Sequence, residues 1–347
     1  MKKIRIGIIG MGRMGITHFS IINSHPEVEI IAVADTSKIT LDLLKKYLPG
    51  LLVFKDYREL MEIANPDAIL VCTPPNLHFD VSTLAFQNNI HVFVEKPFTG
   101  DVNQAYSLMK MFESKNLITQ VGYVNRFNDV FITVKKYVES GLIGEVIRFK
   151  SEMFSATVVK KEQSESWRSF KGNGSGAVYE IASHAIDLVD YIIGKPHKIV
   201  GTSMNQFLSR DVEDIVSSTF IYKNGCSGTI YVNWCDTSYR KPSNKLELFG
   251  VKGKILADQH GIKIFLNEDD SVSEYKKGWN AVYITDIFTP VPFYVRGYEF
   301  TRQLYHFANS ILGKEKGDVC TFTDGYNVQY IMSQLFIDAN KNSIIEQ

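Results

Sequence analysis

Long apolar runs are missing from this chain. No stretch approaches the roughly 20 consecutive apolar residues of a membrane-spanning helix, so the sequence predicts no membrane partner. Charge of one sign is missing too: 38 Lys and Arg stand against 38 Asp and Glu, a formal net charge of zero. Nucleic acid and anionic membranes call for clustered positive charge, and neither is expected as a partner. Cysteine is scarce, and the four present (Cys72, Cys226, Cys235 and Cys320) lack the spacing of a metal site. Cys226 and Cys235 are far enough apart to pair, but free thiols in a reducing cytoplasm are the favoured expectation. No leader-like segment precedes the first apolar run, which also points to the cytoplasm. Internal repeats and low-complexity segments are absent.

What is present is an ordinary globular composition, 45% hydrophobic and 22% charged over 347 residues, enough for two domains with sizeable cores. The densest signal lies at the start. An apolar run, Ile4 to Ile9, ends in Gly10-Met11-Gly12-Arg13-Met14-Gly15, and a helix-compatible stretch follows to Asn23. A second apolar strand, Glu29 to Ala34, ends in Asp35, twenty positions after Gly15. Strand, glycine loop, helix, strand and acid in this register form the dinucleotide-binding arrangement. Gly10 permits the tight turn, Gly12 lets a pyrophosphate approach the backbone, and Gly15 lets helix and strand pack. The helix N-terminus offers free N–H groups to the anion. Asp35 would accept from the adenosine ribose hydroxyls, which favours NAD; Lys38, after Thr36 and Ser37, keeps NADP open.

Strand-like runs alternate with helical patterns to about residue 123: Leu51–Phe54, Ala68–Cys72, His91–Val94 and Ile118–Val121 follow the first two. This alternation predicts a parallel sheet covered on both faces. Ligands bind outside the carboxyl ends of such strands. Thr73-Pro74-Pro75-Asn76, Glu95-Lys96-Pro97 and Tyr123-Val124-Asn125-Arg126 are therefore expected near the cofactor. Beyond a helix at Asp129–Ser140 the pattern changes. Val146–Phe154, Lys198–Asn205, Ile215–Tyr222, Ser227–Trp234, Leu246–Phe249, Lys254–Ala257 and Ile262–Leu266 read as strands joined largely by hairpin turns. They predict a mostly antiparallel sheet, followed by helices near Tyr298–Leu312 and Thr323–Asn340. The expected division is 1–123 and 124–347.

One helix in the second half stands out. Gly172 to Gly176 introduces a helix to about Gly194. Val178, Ile181, Ala182, Ala185, Val189 and Ile192 share one face, and Glu180, His184 and Asp187 fall on the other. The pattern alone favours a solvated polar face for those three. Glu180 and His184 lack a third ligand, so no metal is expected.

Taken together, Gly10–Gly15 with Asp35, Thr73-Pro74-Pro75-Asn76-Leu77-His78, Glu95-Lys96-Pro97 and Gly174 to Asp187 resemble the Gfo/Idh/MocA oxidoreductase family over nearly the whole chain. The resemblance implies an α/β protein: an N-terminal Rossmann domain and a C-terminal α/β domain with a large open, mostly antiparallel sheet. That sheet would form homodimer or homotetramer contacts. The implied activity is hydride exchange between a secondary alcohol and a nicotinamide, on sugars, polyols or nucleotide-linked sugars. Lys96 would contact the nicotinamide ribose and the substrate hydroxyl. His184 would be the acid/base, with Glu180 orienting it. Met11, Arg13, Met14, Thr36, Thr73, Pro74, Asn76, His78 and Glu95 would line the cofactor, although His78 serves equally as a helix-start residue. Asn125, Arg126, Trp167, Arg168 and Tyr179 would meet substrate; Trp167 suits a sugar face or simple loop packing. The family usually has aspartate at the position of Glu180 and glycine at that of Ala182. These departures keep two alternatives in play: a dinucleotide-bound sensor without turnover, and an enzyme with transient internal redox.

Overall fold

Six short parallel strands make the first sheet. In chain order its elements are β1 (Ile4–Ile9), α1 (Arg13–Ile22), β2 (Val28–Ala34), α2 (Lys38–Tyr47), β3 (Leu52–Phe54), α3 (Tyr57–Glu59), β4 (Ala68–Val71), α4 (His78–Gln87), β5 (His91–Val94), α5 (Val102–Glu113) and β6 (Thr119–Val121). The spatial order is β3-β2-β1-β4-β5-β6. The chain therefore leaves one side of β1 after β3 and returns on the other side with β4. That reversal is the topological switch point where open α/β sheets bind ligands. The computed structural model describes residues 3–160, 172, 174–273 and 275–342.

The central strands form because they can be buried on both faces. All four residues of β4 are buried, and so are five of the six in β1, as continuous Ile, Val and Leu runs of parallel sheets require. The helices begin where side chains satisfy their free N–H groups. Asp101 accepts from Asn103 and Gln104 at the start of α5, and Ser37 accepts from Thr40 at the start of α2.

The chain divides into two compact units: residues up to Val124 with Pro290–Tyr326, and Asn125–Thr289 with the chain from Asn327 onward. The expected division keeps everything after residue 123 in one domain. The difference comes from α9 (Tyr298–Ile311). Its Leu304, Phe307 and Ala308 join Ile6, Ile8, Ile21, Val33 and Phe93 in the first unit's core. Full burial of a phenylalanine such as Phe307 is worth roughly 1.5–3 kcal/mol, and α9 gains that only against the parallel sheet.

The second unit holds the larger sheet. Its elements are α6 (Asp129–Glu139), β7 (Val146–Phe154), α7 (Ser183–Ile192), β8 (Lys198–Asn205), β9 (Ile215–Ile221), β10 (Ser227–Asn233), β11 (Ser243–Gly250), β12 (Gly253–Asp258), β13 (Gly261–Leu266), β14 (Gly278–Tyr283) and α8 (Ile284–Ile287). The last helix among the described residues, α10, runs Phe322–Asn342. The order is β14-β13-β12-β11-β7-β10-β9-β8, antiparallel except between β7 and β10. Burial alternates along β9 and β10, so one face is packed and the other is not. On the packed face α6 meets β12 and β13, and α7 meets β7 and β10. The edge strand β14 was missed in the sequence reading. Trp279 and Tyr283 on it are exposed, so it carries no continuous apolar signature.

Among the described residues no helix is long and apolar enough to cross a membrane, and no cluster of His, Cys, Asp and Glu is arranged to hold a metal. The four cysteines form no disulfide.

Candidate active site

In the first unit the strand ends are tied in a row. Gly10 donates to Ala34, Cys72 to Ile9, Glu95 to Val71 and Gly122 to Val94. The loops after β1, β4, β5 and β6 therefore open on one edge of the sheet.

The glycine loop has three different demands. Gly10 turns with φ +91°, and a Cβ there would lie 2.8 Å from the Cys72 carbonyl carbon, so both conformation and space favour glycine. Gly15 sits in the first turn of α1, where a Cβ would lie 2.0 Å from the Gly10 oxygen. At Gly12 a Cβ would meet nothing within 4 Å. Among the described residues no neighbour lies against Gly12. This is the open backbone face that a pyrophosphate needs above a helix N-terminus.

Asp35 closes the loop from below. Its Oδ2 accepts from the Met11 N–H at 2.6 Å, and its Oδ1 accepts from the Ser37 N–H at 2.7 Å. The carboxylate is thus fixed at the end of β2 with acceptor capacity left for ribose hydroxyls. The Met11 side chain is buried in the core, so only its backbone faces the loop. Arg13 and Thr36 are exposed. Met14 takes a contact from Arg296, whose Nη1 lies 3.5 Å from the Met14 sulfur. Burial and the nearby Arg13 charge both lower the Arg296 pKa, so two guanidinium groups stand beside the glycine loop. Arg296 escaped sequence reading because it lies 282 residues from Met14.

After β4, the Thr73 hydroxyl is buried and has no partner among the described residues. A buried hydroxyl left open at the strand edge fits a bound polar ligand. Pro74 and Asn76 are exposed beside it. His78 is different. The ring is fully buried; Nε2 lies 2.9 Å from the Thr73 carbonyl, and Nδ1 lies 3.0 Å from that of Pro97 and 3.3 Å from that of Phe98. Burial lowers its pKa, against the pull of those carbonyls toward the imidazolium. His78 thus braces the loops after β4 and β5, with both nitrogens turned to backbone. This is the arrangement of a residue that shapes the start of α4.

Glu95 and Lys96 directly follow β5. Glu95 Oε1 lies 2.6 Å from Nε2 of the fully buried His18, and its Oε2 accepts from the Lys96 N–H at 3.1 Å. Burial opposes charge on Glu95, but the His18 hydrogen bond and the Lys96 charge outweigh it and hold the carboxyl below its ordinary pKa. Gly122 leaves room for this carboxylate, since a Cβ there would lie 3.0 Å from Oε2. Lys96, half-buried and joined to Pro97 by a cis peptide, rises from this held base. His18 is a further residue that sequence reading passed over; its place on α1 gave no sign of a partner 77 residues away.

In the second unit Tyr179, Glu180, His184 and Asp187 share one helix. The turn Val178–Ala182 is π-helical and runs directly into α7. Glu180 and His184 are half-buried on it. Asp187 is not on a solvated face: it is fully buried and accepts from Arg126 Nε at 2.8 Å. Arg126 Nη2 reaches Asp190 at 3.5 Å, and the guanidinium lies 5.0 Å from the Tyr191 ring centre. Arg126 is buried, and its ion pairs fasten α7. Asn125 is buried beside it. Tyr179 stacks on Phe336 of α10 at 5.8 Å. Trp167 and Arg168 lie outside the described residues.

Glu213 was not singled out from the sequence. Its Oε1 accepts from the Val178 N–H at 2.8 Å, and its backbone oxygen accepts from the Ala177 N–H at 3.1 Å. Burial, with Asp214 adding to it, pushes the carboxyl up to about 7. Asp214 itself is fully buried and accepts from the backbone of Phe207, Leu208 and Ser209, from the Ser209 hydroxyl and from Trp234 Nε1. Burial opposes its charge, and these donors overcome that and lower its pKa. An acidic pair directly before an alternating strand was the available signal, because carboxylates at a buried strand start must be partnered.

Comparison with known proteins gives a consistent picture. A family model described as an oxidoreductase family with an NAD-binding Rossmann fold matches residues 4–123, and the GFO/IDH/MocA C-terminal domain matches 131–256. An uncharacterized oxidoreductase of Schizosaccharomyces pombe is 31% identical over 219 residues, 62% of this chain and 59% of that protein. The chain thus spans about three fifths of that relative's length. Myo-inositol 2-dehydrogenase of Thermotoga maritima is 26% identical over 74% of this chain and 75% of its own. In fold, the chain matches a levoglucosan dehydrogenase solved with NADH and levoglucosan, with a TM-score of 0.87 over 98% of both chains at 21% identity.

Proposed function

The chain belongs to the Gfo/Idh/MocA oxidoreductase family, and from that premise we propose that it is an NAD-dependent dehydrogenase acting on a secondary alcohol of a cyclic polyol or sugar. The observation that carries this reading is the first unit's strand edge. There a Gly12 that is open and a Thr73 hydroxyl that is unpartnered among the described residues lie with a fixed Asp35 and a held Lys96 in loops that follow β1, β2, β4 and β5.

The first residues to act are those that hold the cofactor. The α1 N-terminus and Gly12 take the pyrophosphate, with Arg13 and Arg296 as flanking cations. Asp35 takes the ribose hydroxyls and opposes a 2′-phosphate, which makes NAD the preferred dinucleotide and NADP the poorer one. The bound nicotinamide supplies the hydride acceptor or donor. Lys96 orients the substrate oxygen and favours its developing negative charge; Glu95 and His18 fix the backbone from which it extends. His184 takes the hydroxyl proton as the alcohol is oxidised and returns it in reduction, assistance worth roughly 10²–10⁴-fold. Glu180 orients His184.

The substrate class is supported by relatives that are named for myo-inositol and levoglucosan. We also propose a homodimer or homotetramer formed through the larger sheet, whose unpacked face carries Tyr231, Phe249 and Phe265, and a cytoplasmic setting in keeping with four thiols. Purified protein mixed with NAD and a panel of inositols, anhydrosugars and free sugars tests the proposal by absorbance of the reduced nicotinamide. Reduction that requires Lys96 supports it. Tight NAD binding with no turnover of any panel member would move the reading to a dinucleotide-bound sensor.

A further inference from the structure

We propose that Glu213 is a positioning residue for the acid/base His184, its carboxylate acting as the cap of the helix that carries Glu180 and His184; the assignment rests on the dehydrogenase reading of His184. The residue at the cap position is Ala177, whose side chain offers no acceptor to the helix's free N–H groups. Glu213, 35 residues away in sequence, supplies the acceptor through the Val178 N–H. Two further features bind the same turn to the same residue. The Ala177 N–H donates to the Glu213 backbone oxygen. Gly176, at φ +96°, has no Cβ, and one placed there would lie 2.4 Å from Glu213 Oε1. Residues 176, 177 and 178 are thus fitted around one residue, 176 and 178 against its carboxylate and 177 against its backbone oxygen, and His184 lies six positions beyond Val178 along a continuous helix.

The anchor is itself held. Asp214, next in the chain, gathers the backbone of residues 207–209 and the indole of Trp234. The segment before β9 therefore has little freedom to follow the helix, and the helix start must follow Glu213. A carboxylate at a helix N-terminus is favoured by the dipole as well as by its hydrogen bond. The helix brings the backbone of residues 176–178 against it, and the charged group acting on it is Asp214. Because burial and Asp214 bring its pKa to about 7, the cap changes charge across neutral pH. Acid/base geometry is sensitive to such shifts, since a displacement near 1 Å can cost roughly a hundredfold in rate.

The test uses the full chain with Glu213→Gln and Glu213→Ala. Gln keeps an acceptor for the Val178 N–H and removes the charge; Ala removes both. Three quantities are read: kcat against pH, NAD affinity, and NMR titrations of the Val178 amide and the His184 ring. The wild-type Val178 amide should shift with a midpoint near pH 7, and the shift should vanish in Glu213→Gln. Glu213→Ala should lose roughly ten- to a hundredfold in kcat, alter the His184 titration and leave NAD affinity unchanged, while Glu213→Gln restores rate and titration to within about twofold. If Ala leaves the His184 titration and kcat unchanged, or if Gln is as damaged as Ala, the positioning role is wrong. Failure of wild-type turnover would overturn the dehydrogenase reading separately, and the NMR arm would still decide whether Glu213 positions His184.

Discussion

Gly12→Ala and Gly15→Ala lie three residues apart in one loop, yet they should fail in opposite ways. At Gly15 the new Cβ would sit 2.0 Å from the Gly10 oxygen and 2.9 Å from its carbon. Ordinary C···O approach is about 3.3 Å or more, and the obstruction is backbone, which cannot rotate away. Overpacking of this kind costs roughly 1–3 kcal/mol or more. Ala in place of Gly inside a helix returns at most about 1 kcal/mol. The net loss is about 2 kcal/mol, a fall in melting temperature of roughly 4–8 °C if each kcal/mol moves it 2–4 °C. Gly12 has φ −67° and ψ −170°, which any residue can adopt, and its Cβ would enter open space. A small loss in helix capping, a few tenths of a kcal/mol up to about 1, is set against an unfolded-state gain of about 0.4–1 kcal/mol. Stability should stay within about 1 kcal/mol of wild type. The methyl group would, however, stand between the α1 N–H groups and an incoming pyrophosphate, and NAD affinity should fall by about tenfold or more, some 1.4 kcal/mol. Thermal melts and NAD titration calorimetry on both variants read the two effects apart. A Gly12→Ala protein that binds NAD like wild type would refute the account of the open face. A Gly15→Ala protein of wild-type stability would refute the packing account.

Three further outcomes are expected. Asp214→Ala leaves the Trp234 indole and three backbone donors without their carboxylate, and should cost about 3–5 kcal/mol in chemical denaturation. With the native pKa of Asp214 lowered, its contribution is present above the unfolded value near 4 and is lost as pH falls through the native one; a Glu213 raised to about 7 works the other way, lowering stability as pH rises from about 4.5 toward 7. Asp35→Ala should weaken NAD binding and narrow the preference for NAD over NADP; equal NAD affinity would remove Asp35 from the site. His184→Asn should cut kcat by roughly 10²–10⁴-fold, with NAD affinity retained, and full activity across the pH range would end its acid/base role.

Much of the first unit was legible because its signals are local. The run of apolar residues in β1, three glycines and Asp35 all fall within 35 residues, and each is required by a backbone turn or a buried strand. The alternation of β9 and β10 likewise follows from a sheet packed on one face. What escaped was long-range. Arg126 looked like a ligand-facing cation after β6, and only its ion pair with Asp187, 61 residues on, shows it buried. Asp187 looked solvated by helical phase, because periodicity reports which residues share a face and not whether a partner covers that face. His78 carried a motif signal, but the three carbonyls around its ring come from two separate loops. The return of α9 to the first unit was hidden for the same reason: its apolar stripe fits any core.

The central claim is that Lys96 serves hydride exchange on an alcohol with NAD. The most direct measurement is reduced-nicotinamide absorbance when wild type and Lys96→Ala meet NAD and a panel of cyclic polyols and sugars, with NAD affinity determined for both. The account predicts turnover by wild type on at least one panel member, loss of that turnover in Lys96→Ala, and NAD binding that survives the substitution. Undiminished turnover by Lys96→Ala would contradict it.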